Sequence, residues 1–118
     1  MEAMRNNLPA RRTHQTIRFR FWNMEYVVGL GRTLYNTAVQ EVFINCGRSG
    51  DQAETLARDS AVLLSLALQH GVPLDTMRHA ITRNPDGSPM GPVGVILDII
   101  HGEESDSDDR PAQQFTGL

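Results

Sequence analysis

The run Arg58-Asp-Ser-Ala-Val-Leu-Leu-Ser-Leu-Ala-Leu-Gln-His-Gly-Val-Pro-Leu-Asp75 constrains this chain more than any other stretch. Ala61, Val62, Leu63, Leu64, Leu66, Ala67 and Leu68 leave only Ser60 and Ser65 as small polar breaks. A helix apolar on nearly every face needs cover on nearly every face, so it is either a central core helix or part of a subunit contact. Leu64 and Leu68 are expected to be buried. Gly71 can take the left-handed conformation that closes such a helix, and Pro73 can open the next one at its first position.

Upstream, the pattern changes period. Ile17-Arg-Phe-Arg-Phe21 alternates apolar and charged residues, as a half-buried strand does. Asn23 separates it from Met24-Glu-Tyr-Val-Val28, which predicts a tight turn and a second antiparallel strand. Val39 to Asn45 reads as a third. Asn45-Cys-Gly-Arg-Ser-Gly50 is a glycine-rich turn into the long helix, and Asp51 with Glu54 has capping-box spacing, with Asp in place of the usual Ser or Thr. The long helix should run to about His70, and a second from Pro73 to about Thr82. Four turn-forming dipeptides make residues 83–92 a loop. Val93, Ile96, Leu97 and Ile100 stand at i, i+3, i+4 and i+7, a stripe on a third helix that Gly102 should end. Strands first and helices after give an α+β class: a small N-terminal antiparallel sheet of about three strands packed on a long central helix, followed by two shorter helices. Residues 1–16 read as a flexible basic arm, 17–102 as the packed domain and 103–118 as an acidic, disordered tail.

Three segments of this pattern, Ser60-Ala61, Leu64-Ser-Leu-Ala-Leu-Gln69 and Gly71-Val-Pro-Leu-Asp75, resemble the signature of the TSCPD domain. Glu41-Val-Phe-Ile44 with Gly47 and Gly50-Asp51, and later Gly87-Ser-Pro-Met-Gly91, extend the resemblance over roughly Ile17 to His101. That domain occurs at the C-terminal end of adenosylcobalamin-dependent ribonucleoside-diphosphate reductases and as small free-standing bacterial proteins. The resemblance therefore implies a link to deoxyribonucleotide production and DNA biosynthesis, as an appendage or partner of a reductase. A chain of 118 residues has no room for the catalytic barrel, its cysteine trio or the cobalamin and allosteric sites of the full enzyme.

Size and charge set further bounds. A domain this small buries about 60–70% of its unfolded surface, which favours a homodimer as extra cover. No apolar run is long enough for a bilayer, and the N-terminus lacks a signal-peptide core, so the expected location is cytoplasmic, without a membrane partner. Residues 1–50 carry seven Arg against three acidic groups, net +4, whereas residues 51–118 carry four against eleven, net −7. Lysine is absent. Arginine alone suits bidentate contacts with phosphate or carboxylate, although GC-rich codon usage gives the same bias.

Four groups of residues bear on chemistry. Cys46 is the sole cysteine, so a thiol relay through it needs a partner's sulfur, and a redox role stands against an ordinary small residue at a strand end. Gly47, Arg48, Ser49 and Gly50, at the start of the long helix, form a candidate anion or nucleotide site, although a glycine-assisted connection explains them as well. Arg11, Arg12, Arg18 and Arg20, with His14 nearby, form a basic face suited to nucleic acid, or simply a solvated strand face. His14, His70, His79 and His101 include no metal-type pair, and Asp75 with His79 or Asp98 with His101 reads as a surface contact. No metal, cofactor or catalytic constellation is expected. The leading expectation is a small, self-associating, non-catalytic binding or assembly module. The alternatives are thiol exchange through Cys46 in ribonucleotide reduction and nucleic-acid-binding regulation through the basic face.

Overall fold

A computed structural model describes residues 12–33, 38–47 and 52–108. The chain divides into two compact units, Met1–Pro73 and Leu74–Leu118.

The first unit holds β1 (Arg12–Phe21), β2 (Met24–Thr33) and β3 (Glu41–Cys46), then α1 (Gln52–Gln69). The strands form an antiparallel sheet in the order β1-β2-β3. β1 and β2 are longer than the alternation predicts: pairing extends back to Arg12 opposite Thr33, so residues 12–16, read as part of the arm, are strand. Side-chain alternation is a poor guide there because the polar Gln15 stands opposite the apolar Leu30 and still belongs to the ladder. Arg11 and the remainder of the basic arm lie outside the described residues.

The hairpin turn is Trp22-Asn23, with φ of 54° and 62°. Two residues at positive φ make the mirror-image turn whose twist matches paired strands. Such a turn closes on a hydrogen-bonded pair, Phe21 with Met24, and that sets the rest of the sheet. Even-numbered residues of β2 bond to β1 and odd-numbered ones to β3, because ladder bonds alternate. The outward backbone groups of β3 are consequently those of Val42, Ile44 and Cys46.

The two faces of the sheet differ. Tyr26, Val28, Leu30, Val42 and Ile44 are buried on one, where the Phe19 ring stacks on Tyr26 with centroids 5.4 Å apart. The opposite face carries His14, Thr16, Arg18, Arg20, Glu25, Phe43 and Asn45, all exposed. Gly29 and Gly31 lie between them, and the Phe43 ring approaches to 3.6 Å from where a Gly29 side chain would begin.

α1 packs on β3. It buries Ala61, Leu64 and Gln69, while Leu68 is only half-buried. Leu56, Val62 and Leu63 are exposed, Leu63 to 68%. The helix is thus not the fully covered core helix that its composition allows, since one thin sheet covers only one side. Its end follows the glycine rule: Gly71 has φ of 84°, its N–H bonds the Leu68 carbonyl at 3.1 Å, and the Val72 N–H bonds that of Ala67 at 3.0 Å.

The second unit holds α2 (Leu74–Ala80) and α3 (Pro92–Asp108). Ile96, Leu97 and Ile100 are buried as the stripe predicts. Gly102 does not end α3, which continues six residues into the acidic segment. A mid-helix glycine costs only about 1 kcal/mol, too little to stop a helix already anchored by packing. Gly94 lies where a side chain would meet Ile81 and Pro89 at 2.8 Å, so the loop closes directly on the helix backbone.

One arginine organises the loop. Arg83 places both terminal nitrogens on Asp98, at 2.8 and 3.0 Å, and also donates to the Arg78 and Gly87 carbonyls. Arg78 bonds Asp98 and Asp75, each at 3.0 Å. These guanidinium hydrogen bonds hold the Asp98 carboxyl below its ordinary pKa, Arg83 first.

Candidate functional site

The site is built on a match between two repeats. Four residues of helix rise about 6 Å, and two residues of strand rise about 6.6–6.8 Å. Side chains at i, i+4 on α1 can therefore meet every second residue of a strand running the other way. Ser65 meets Val42: its hydroxyl accepts from the Val42 N–H at 2.8 Å and donates to the Val42 carbonyl at 3.1 Å. Gln69, four residues on, donates to the Gln40 carbonyl at 3.0 Å. Ala61, four residues back, is the third position in the series and faces the level of Ile44. A methyl group cannot bond a backbone. The outward N–H and C=O of Ile44 thus have no side-chain partner among the described residues.

Between α1 and the exposed side of β3 runs a groove of about 700 Å³. Glu41, Phe43 and Asn45 line one wall, and Arg58, Val62 and Leu66 the other. Phe43 and Val62 are each exposed to about half their surface. The middle is aromatic and aliphatic, with Glu41 near one end and Arg58 near the other, where it bonds Glu54 at 3.1 Å. The hydroxyl of Ser65 is already committed to Val42. Nothing in the sequence marks this groove, because it depends on which strand edge the helix covers.

The residues singled out from sequence are spread over the first unit. Cys46 ends β3, opposite Tyr26 and half-buried. Burial, and secondarily the charge of the Cys46 sulfur, raise the Tyr26 phenol pKa. Gly47 is exposed, whereas Arg48, Ser49, Gly50 and Asp51 lie outside the described residues, as does Arg11. Arg12 lies in β1 without a described side chain. Arg18 and Arg20 project from one face of β1, both exposed.

Neither carboxylate–histidine pair forms as spaced. The His79 Nδ1 donates to the Asp75 backbone carbonyl at 2.7 Å, and the Asp75 carboxylate lies 3.7 Å from His101 instead. Asp98 turns to the two arginines. Arg78 and Arg83 gave no local sequence signal, since their partner lies 20 and 15 residues away. Among the described residues no cluster of three metal-type ligands occurs, and no helix is long and apolar enough to cross a membrane.

A family model of the TSCPD domain matches residues 4–102. The chain belongs to the TSCPD domain family. No curated protein and no solved structure matches it. In this TSCPD domain the resembling segments fall on structure as expected. Glu41-Val-Phe-Ile44 lies in β3, Leu64 to Gln69 is the C-terminal third of α1, and Gly71 to Asp75 spans the break and the first two residues of α2. The matched stretch spans both β3 and α1, the two walls of the groove.

Proposed function

We propose that the chain is a non-catalytic docking and assembly module that serves ribonucleotide reduction by binding a reductase subunit in the groove between β3 and α1. One observation carries this reading: within the stretch that matches the family, β3 and α1 build an open groove in which the apolar Phe43 and Val62 stay half-exposed between Glu41 and Arg58. A partner segment can seat apolar side chains against the half-exposed Phe43 and Val62, with Glu41 and Arg58 available to polar or charged groups at its two ends. A second copy packs on the exposed Leu56 and Leu63, one helical heptad apart and outside the groove, so that self-association and docking use different faces.

The test is affinity purification of the tagged full chain from its native cell, with Phe43→Asp and Val62→Asp as comparators. Both residues are exposed, so the variants should fold, which circular dichroism checks. A reductase subunit retained by the wild type and lost from both variants is expected. Its absence from the wild-type sample, or equal recovery with the variants, would refute the proposal.

A further inference from the structure

The β1–β2 hairpin holds features that neither packing nor the groove uses. Each other arginine with a described side chain is engaged: Arg32 with Gln15, Arg58 with Glu54, and Arg78 and Arg83 with Asp98. Arg18 and Arg20 have no hydrogen-bond or ion-pair partner among the described residues, and both are exposed. They stand on one face with His14 and Thr16 at every second position, about 6.6–6.8 Å apart along the strand.

At the tip, Trp22 is 70% exposed and has φ of 54°, in the left-handed region. Bulky residues rarely sit there, and a turn of this kind suits Asn followed by Gly. The indole packs on the Phe21 ring, centroids 4.9 Å apart at a tilt of 48°, which restrains it while most of its surface stays in water. Beyond the Phe21 contact such strain brings the fold little buried area in return, and strained positions of this type gather at binding sites.

We infer that the hairpin tip binds single-stranded nucleic acid: a base stacks on the Trp22 indole, and the adjoining phosphates run along β1 over Arg20 and Arg18. The spacing of alternate strand residues is comparable to that of successive phosphates on an extended single strand, and stacking is the sequence-tolerant way to hold an unpaired base. A duplex keeps its base faces covered. A lipid surface fits less well, because Glu25 pairs across from Arg20 and Asn23 adjoins Trp22, so sinking the tip would desolvate a carboxylate.

Trp22 is the only tryptophan in the chain, so its fluorescence reports the site directly. The full chain is titrated in low salt with a short single-stranded DNA, a single-stranded RNA, the matching duplex, a nucleoside triphosphate and anionic phosphatidylserine vesicles. Fluorescence should be quenched by the single strands at concentrations where the other three have no effect. The logarithm of affinity should fall against that of salt with a slope of about −1.4 for two neutralised phosphates. Trp22→Asn suits the turn and should melt no lower than wild type. In anisotropy with a labelled strand it should bind roughly ten- to hundredfold more weakly, as expected on losing one stacked base. Arg18→Ala with Arg20→Ala should flatten the salt slope. The inference is overturned by any of three results: no response to single strands, unchanged affinity in Trp22→Asn, or quenching as strong with duplex, triphosphate or vesicles.

Discussion

The Ser65 hydroxyl bridges the two outward backbone groups of Val42, accepting from the N–H at 2.8 Å and donating to the carbonyl at 3.1 Å. A single side chain thereby completes a strand edge that would otherwise lose its hydrogen bonds under a helix. The same contact sets the register of α1 on β3, and with it the placing of Ala61 at the level of Ile44.

Ser65→Ala leaves that backbone pair unmet in a partly buried place. The expected cost is about 1–3 kcal/mol, the desolvation of groups without partners. Denaturant unfolding should show a lower midpoint with an unchanged slope. A midpoint equal to wild type would mean that water replaces the hydroxyl without loss.

Leu63 and Leu64 are neighbours with opposite fates, one 68% exposed and the other 6%. Leu64→Ala should cost about 2–5 kcal/mol through lost packing, and Leu63→Ala no more than about 0.5 kcal/mol, as at other surface sites. Similar losses for both in dilute protein would contradict the packing described for α1.

Composition alone could not separate these two leucines. The helix reads as apolar all round, and only the position of β3 decides that Leu64 is covered and Leu63 is not. The α+β class, the hairpin at Asn23, the glycine stop at Gly71 and the Ile96, Leu97, Ile100 stripe were legible because each has a local cause. Strand ends at Arg12 and Thr33, the continuation of α3 past Gly102, and the Arg83–Asp98 contact were not, since each depends on partners distant in sequence. The groove belongs to this second kind: its lining was visible residue by residue, but not as a site.

If the exposed leucines meet a second copy, charge placed on them should prevent association. Leu56→Asp with Leu63→Asp is expected to sediment as a monomer at concentrations where the wild type forms a dimer. A wild-type chain that remains monomeric at high micromolar concentration would remove this interface.

The acid response follows from Asp98. Its folded pKa lies below the ordinary value of 3.8, chiefly through the hydrogen bond from Arg83 and with help from Arg78. A depressed carboxylate stabilises the folded state fully above its unfolded pKa and stops doing so as pH falls through the folded one. Stability should therefore be level near neutrality with respect to this group and decline below about pH 4. Arg83→Ala should melt lower at pH 7 and show a shallower acid decline, because part of that linkage is gone. An acid profile parallel to wild type would place the linkage elsewhere.

Amide hydrogen exchange of the full chain with and without a purified ribonucleotide reductase catalytic subunit tests the docking function most directly. Binding in the groove predicts slower exchange across β3 from Glu41 to Asn45 and along α1 from Arg58 to Leu66, through suppressed local opening, with both effects lost in Phe43→Asp. No protection with the reductase present, or protection confined to other segments while β3 and α1 exchange as before, would contradict it.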